Sequence, residues 1–250
     1  MNNPRLNLWW GSRDPLQADN ARRLSQFVTG LPDFDPIYQS WLLSPITKEN
    51  TVSVPLSETK AKELLIDNMV RNSFNGDLMP QHGSNIWGGH AGPPPYDFRD
   101  SSYADTTCHV GSYILPEHNW ANLVSMRLSA LRTETGRPWR ASELRPLMKF
   151  ARDIWQPGDM CTTFSFYRPV TIPDATRGDG ERILTPWIGW ITYLRPGLAS
   201  RAKYPPDVEV ETLSDGAALV TLCEDQFEET DVEGMARLRA LEAALRPIQS

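Results

Sequence analysis

The chain has 250 residues, 40% of them hydrophobic and 22% charged, with a formal charge of −6, and its mass of 28.3 kDa is enough to bury a full core. No apolar run approaches the ~20 residues of a membrane span, no basic stretch followed by an apolar one marks a secretory leader, and the acidic balance opposes direct binding to nucleic acid. The expectation is one cytoplasmic domain spanning residues 1–250, with neither membrane nor nucleic acid as a direct partner.

Leu6, Leu8 and Trp10 alternate with Arg5, Asn7 and Trp9, so the first element reads as a strand with one buried face. After Gly11-Ser12-Arg13, Asp14 is a good cap and Pro15 a good first residue for a helix burying Leu16, Leu24, Phe27, Val28 and Leu31. Gly30, Pro32 and Pro36 then break the chain, with Phe34, Tyr38 and Trp41 as anchors. A second helix starts at Ser57 and sets Ala61, Leu64, Leu65 and Met69 on one side. From about 75 to 105 the chain is rich in Gly and Pro and reads as a long irregular insertion. "ADTTCHVGSYIL" and "WANLVSMRLS" read as an antiparallel pair of strands, with Val124, Met126 and Leu128 on one face.

A third helix follows in "SELRPLMKFARDIW", its apolar stripe made of Leu144, Leu147, Met148, Ala151, Ile154 and Trp155; Pro146 belongs in its first turn or bends it. "MCTTFSFY" and "WIGWITYL" are strands, the second apolar on both faces and so central in a sheet. Ser214-Asp215-Gly216 splits "DVEVETL" from "GAALVTLC" as a hairpin turn. The last helix begins near Asp231 and buries Met235, Leu238, Leu241, Leu245 and Ile248. Strands that come in groups separated by single helices point to an α+β fold, a mostly antiparallel sheet with about four helices packed on it.

The chemistry is sparse. The opening turn offers one glycine followed by Ser12 and Arg13, too little for a phosphate cradle, and helix capping explains it. His82, His90, His109 and His118 match no metal-ligand spacing, so no metal or other cofactor is expected. Cys108, Cys161 and Cys223 read as reduced thiols. Cys108 and His109, being adjacent on a strand, point to opposite faces and form no nucleophile–base pair. Among the nine tryptophans, Trp87, Trp120 and Trp139 sit in or beside polar loops and are the exposed candidates for protein contacts.

Carboxylates give the stronger signal. Asp207, Glu209 and Glu211 line one face of a strand whose other face holds Val208, Val210 and Thr212, and Glu224, Asp225, Glu228, Glu229, Asp231 and Glu233 follow. Two readings fit: a solvated sheet edge with an acidic helix start, or an acidic surface that speeds association with a basic protein partner.

The opening stretch, with Gly11 and Arg13 in the turn, Ala21, Arg23 and Leu24 in the helix and Trp41 beyond a short spacer, resembles the start of the immunity protein 52 family of bacterial polymorphic toxin systems. The tail is similar too: Trp190 and Tyr193 in a Trp-x-x-Tyr strand, a glycine-containing hairpin and a final amphipathic helix. The likeness covers both ends, and residues 75 to 180 more loosely. It implies a cytoplasmic, non-enzymatic α+β protein that binds and neutralises a cognate toxin with a restriction-endonuclease-type nuclease domain. On that reading the contact residues are Asp97, Asp100, Asp207, Glu209, Glu211, Glu224, Asp225 and Glu228, with Trp87 or Tyr96 as aromatic anchors, while Gly11, Arg13, Trp41 and Trp190 belong to the scaffold. The alternatives are a small hydrolase using Cys161 or a histidine, and an adaptor that binds an effector without inhibiting it.

Overall fold

The structure is a computed structural model that describes residues 3–11, 17–43, 50–90, 104–113, 122–163, 171–173, 181–183 and 188–248. It is α+β, and it divides into two compact units. The first unit comprises Asn7–Pro138 and Lys149–Gly158, the second Met1–Leu6, Trp139–Met148 and Asp159–Ser250.

In the first unit the strands are β1 (Arg5–Trp10, from Asn7 onward), β2 (Ser40–Leu43), β3 (Thr51–Ser53), β4 (His82–His90), β5 (Ala104–Ser112) and β6 (Asn122–Arg127), in the order β1-β6-β5-β4-β2-β3. The ladders β5/β6, β4/β5, β2/β4 and β2/β3 are all antiparallel. Period-2 patterning fixes the register: Ile86 pairs with Cys108 and Cys108 with Val124, and all three are buried. The helices are α1 (Gln17–Gly30) and α2 (Glu58–Asp67). Helix α1 buries Ala21, Leu24, Phe27 and Val28, while α2 is capped by the Ser57 hydroxyl, which accepts from Lys60 N at 3.2 Å, and buries Ala61, Leu64 and Leu65. Side-chain hydroxyls tie these elements together: Ser25 donates to the Leu56 carbonyl at 2.6 Å and Ser84 to the Leu65 carbonyl at 2.6 Å.

Helix α3 (Ala141–Trp155) contributes its residues from Lys149 onward to this unit. Trp155 stacks on Trp10 at 5.5 Å and meets Phe27 edge-on, while Phe150 lies against Phe27 and Phe34. The Arg23 guanidinium donates to the Trp155 carbonyl at 3.1 Å, a cation on the negative end of α3. That bond gives the helix-borne arginine of the opening motif a structural task.

The second unit holds β7 (Asp159–Thr163), a two-stranded ribbon of β8 (Thr171–Pro173) and β9 (Glu181–Ile183), then β10 (Ile191–Leu194), α4 (Pro196–Ala199), β11 (Glu209–Thr212), β12 (Ala218–Thr221) and α5 (Val232–Leu245). Its strand order is β11-β12-β10-β7, antiparallel throughout, so β10 is flanked on both sides and all four of its residues are buried. Gly216 at φ 83° turns the β11/β12 hairpin, and the Asp215 carboxylate accepts from Ala217 N at 3.1 Å. Asp231 caps α5 by accepting from Glu233 N and Gly234 N, each at 3.0 Å.

Several expectations are corrected. Asn7 and Trp9, assigned to the open face of β1, are buried, because this strand is covered on both faces. Trp139, expected to be exposed, is 1% exposed; it immediately precedes the bridge in which Arg140 pairs with Asp225. The segment read as irregular from 75 to 105 contains β4 and the first residues of β5. Met69 lies past the end of α2, in a bridge to Ser84. Of the two places offered for Pro146, the first turn is excluded, since it stands inside α3. Of the stripe expected in α5, Leu241 and Leu245 are buried beside Gly234, whereas Met235, Leu238 and Ile248 are half-buried. The Phe227 ring sits against Gly234, where a Cβ would stand. The cap proposed at Asp14 and Pro15, and Trp120 and His118, lie outside the described residues.

Candidate partner interface

Of the groups a hydrolase could use, the three cysteines, His90 and His109 are poorly placed for it. Cys108 is buried on the inner face of β5, and burial pushes its thiol up to about 12. Cys161 is also fully buried, and Cys223 is half-buried with its thiol raised to about 11, again mainly by burial. Nucleophilic cysteines need the opposite shift. His90 is buried between the Ser40 carbonyl, 3.2 Å from Nδ1, and the Thr106 hydroxyl, 2.8 Å from Nε2. A carbonyl only accepts, so Nδ1 carries the proton and Nε2 accepts from Thr106. Burial lowers this imidazole to about 3, and it is sandwiched by Tyr38 edge-on and Trp41 face-on. His109 is half-buried on the other face of β5 from Cys108, lowered by burial and by neighbouring His82. Among the described residues no group of three His, Cys, Asp or Glu is arranged to hold a metal ion, and no helix is long and apolar enough to cross a membrane.

In the second unit three of the sequence-selected carboxylates converge on the first two turns of α3. Arg145 pairs with Glu209. Glu224 accepts from the Ser142 hydroxyl and from Ser142 N, the latter at 3.3 Å. Arg140 Nε lies 3.6 Å from Asp225. The backbone reinforces the junction, with Ala141 N donating to the Glu224 carbonyl at 2.8 Å, while Arg140 N donates to the Glu143 carboxylate at 2.9 Å in a capping arrangement. Anions at a helix N-terminus are favoured by its dipole, and these pairs, exposed on the acidic side, each contribute no more than about 1 kcal/mol. The field that this stretch projects is therefore weaker than its composition suggests.

Asp207 lies exposed in the turn before β11. Along β11, Val210 and Glu211 are half-buried and Glu209 and Thr212 exposed, so the clean two-faced alternation does not hold on this edge strand. Glu228 closes a turn with its backbone, its carbonyl accepting from Asp231 N at 2.9 Å. Trp190, assigned to the scaffold, is fully buried, and its indole N–H donates to the Cys223 carbonyl at 2.7 Å.

In the first unit Trp87 is 40% exposed on β4. Its register partners run Trp87, Thr107, Ser125 across three strands. Exposed Asn85 and half-buried His109 and Leu123 share that face, together with the Asp105–Arg127 pair at 2.7 Å. Trp87 is thus an exposed aromatic on a predominantly polar sheet face. Trp41, the other scaffold tryptophan, is fully buried. Tyr96, Asp97, Asp100 and Arg13 lie outside the described residues.

Sequence reasoning passed over the exposed apolar residues of the segment after α2, among them Phe74 and Leu78. Nearby, Asn20, Leu65, Met69, Pro80 and Tyr113 help line a small open cavity of about 160 Å³. The available signal was Asn75-Gly76, a turn dipeptide inside what read as a loop.

No curated protein matches the chain. Among solved structures, the Pseudomonas aeruginosa T6SS protein PA0821 is similar at a TM-score of 0.47 and 11% identity, over 100% of this chain and 77% of that one. A family model described as Immunity protein 52 matches residues 6–247, a span that runs through both units.

Proposed function

The chain belongs to the immunity protein 52 family, and from that membership we propose that it acts as one immunity domain, binding a cognate toxin in the cytoplasm and neutralising it stoichiometrically. The observation that carries this reading is the family match over residues 6–247. We further propose that the toxin carries a restriction-endonuclease-type nuclease domain, and that this protein acts by occupying a surface rather than by catalysis. The burial of Cys108 and Cys161 and the lowered imidazole of His90 support the second part. A nuclease domain binds polyphosphate through Lys and Arg, and an acidic partner is steered toward such a surface.

The proposed contacts are the carboxylates Asp207, Glu209, Glu211, Glu224, Asp225 and Glu228, together with Asp97, Asp100 and an aromatic anchor at Trp87 or Tyr96. Asp207, exposed in the turn before β11, and Glu211 within that strand are the positions to reverse first. Co-expression with the toxic domain encoded beside this gene is expected to restore growth. The double variant Asp207→Lys/Glu211→Lys is expected to slow association about tenfold at low ionic strength and to flatten its salt dependence. Growth arrest despite soluble expression of the unaltered chain contradicts the immunity role. An unchanged association rate in the double variant moves the interface away from β11.

A further inference from the structure

We propose that the ring of Phe74 is a rigid aromatic anchor that inserts into an apolar pocket of the cognate toxin; the inference rests on the immunity reading above. Phe74 stands at the tip of a small hairpin formed by residues 70–79 and is 98% exposed. A singly exposed apolar residue needs no explanation in itself. What sets this one apart is the number of hydrogen bonds that hold its backbone while its ring touches almost nothing.

The stem of the hairpin is an antiparallel bridge between Arg71 and Leu78, with Met79 N donating to the Val70 carbonyl at 2.8 Å and Asn72 N to the Asp77 carbonyl at 2.8 Å. Gly76, at φ 77°, donates its N–H back to the Asn72 carbonyl at 2.9 Å. Two asparagines complete the tip. The Asn72 side chain accepts from Phe74 N at 2.8 Å, and that of Asn75 accepts from Asp77 N at 3.1 Å while donating to the Asp77 carboxylate at 2.7 Å. The base is fastened to β4, since Val70 N donates to the Gly83 carbonyl at 3.0 Å and Met69 bridges Ser84.

An aromatic ring presented on a pre-ordered turn loses little conformational freedom on binding, the property of residues that dominate protein interfaces. Two opposite charges lie beside it, each hydrogen-bonded within the turn: Arg71 donates to the Gly76 carbonyl at 3.3 Å and Asp77 accepts from Asn75. The tip therefore offers an apolar ring beside one cation and one anion whose formal charges cancel, chemistry that suits an apolar pocket with a polar edge better than a basic groove. Leu78, 43% exposed on the stem, widens the apolar contact.

The test measures the kinetics of toxin-domain binding by the purified full chain and by Phe74→Ala and Phe74→Asp. Because the ring has no intramolecular packing, both variants are expected to keep the melting temperature of the unaltered protein. Binding is expected to weaken at least about thirtyfold, through faster dissociation, with the salt dependence of association unchanged. Unaltered binding by Phe74→Asp, alongside tight binding by the unaltered chain, overturns the anchor and leaves the immunity reading standing. Failure of the unaltered chain to bind overturns both. A self-associating chain made monomeric by Phe74→Asp with toxin binding intact assigns the ring to a second copy and overturns the proposal.

Discussion

Gly83→Ala is expected to destabilise the protein by about 2–4 kcal/mol. Gly83, the second residue of β4, has φ 73°, a conformation that costs an L-residue roughly 1 kcal/mol or more. A Cβ there would also be driven against main-chain atoms of β5, 2.7 Å from Ser112 N and 2.9 Å from the Gly111 carbonyl carbon. Backbone cannot swing aside as a flexible side chain can, so relief requires separating the two strands, and overpacking of this kind adds a further ~1–3 kcal/mol. Gly76→Ala is the control. It shares the positive φ, 77°, but has nothing within 4 Å of the added carbon, so its loss is confined to the conformational part, about 1 kcal/mol. Urea titrations of the two variants separate strain from collision: equal losses would show that the close approach of β4 and β5 at Gly83 carries no cost.

Acid is expected to weaken the fold through His90. In the folded chain this imidazole is lowered from 6.5 to about 3 by burial, so between those values the unfolded chain binds a proton that the folded chain refuses. Its contribution is fully present above pH about 6.5 and is lost as pH falls toward 3, at a limiting slope of about 1.4 kcal/mol per pH unit. His90→Asn keeps a donor for the Ser40 carbonyl and cannot be protonated, so its stability is expected to fall less steeply over the same interval. Denaturant unfolding at a series of pH values checks this. Parallel curves for the two proteins would mean that His90 does not resist protonation.

The elements most legible in the sequence are those whose stabilising contacts are local or strictly periodic. Alternation in β5 and β6 places Val124 and Met126 inside, the Ser57 and Asp231 side chains cap their helices, and Ser214-Asp215-Gly216 turns its hairpin. What the sequence conceals depends on residues far along the chain. Strand β4 reads as loop because Gly88 and Gly89 fall within it. Gly88 is required there by Trp41 of β2, since a Cβ would lie 2.6 Å from the indole nitrogen and 2.7 Å from the Leu42 carbonyl. Trp139, between Pro138 and Arg140, has polar or helix-breaking neighbours, yet it is buried in a unit whose strands come mostly from after residue 159. The acidic residues near the C-terminus were legible as carboxylates but not as partners of α3, because Arg145 meets Glu209 across 64 residues and Ser142 meets Glu224 across 82. Phe74 was hidden for the opposite reason: its apolar side chain has no periodicity around it, and only the hydrogen bonds of the turn reveal that it is held.

Stoichiometric neutralisation is tested most directly by titrating the purified toxic domain with the purified chain while following DNA cleavage. The account predicts that cleavage falls in proportion to added protein and ends at one equivalent. Cleavage that persists in excess of a bound partner would identify an adaptor, cleavage abolished by a small fraction of an equivalent would identify an enzyme, and either result contradicts the account.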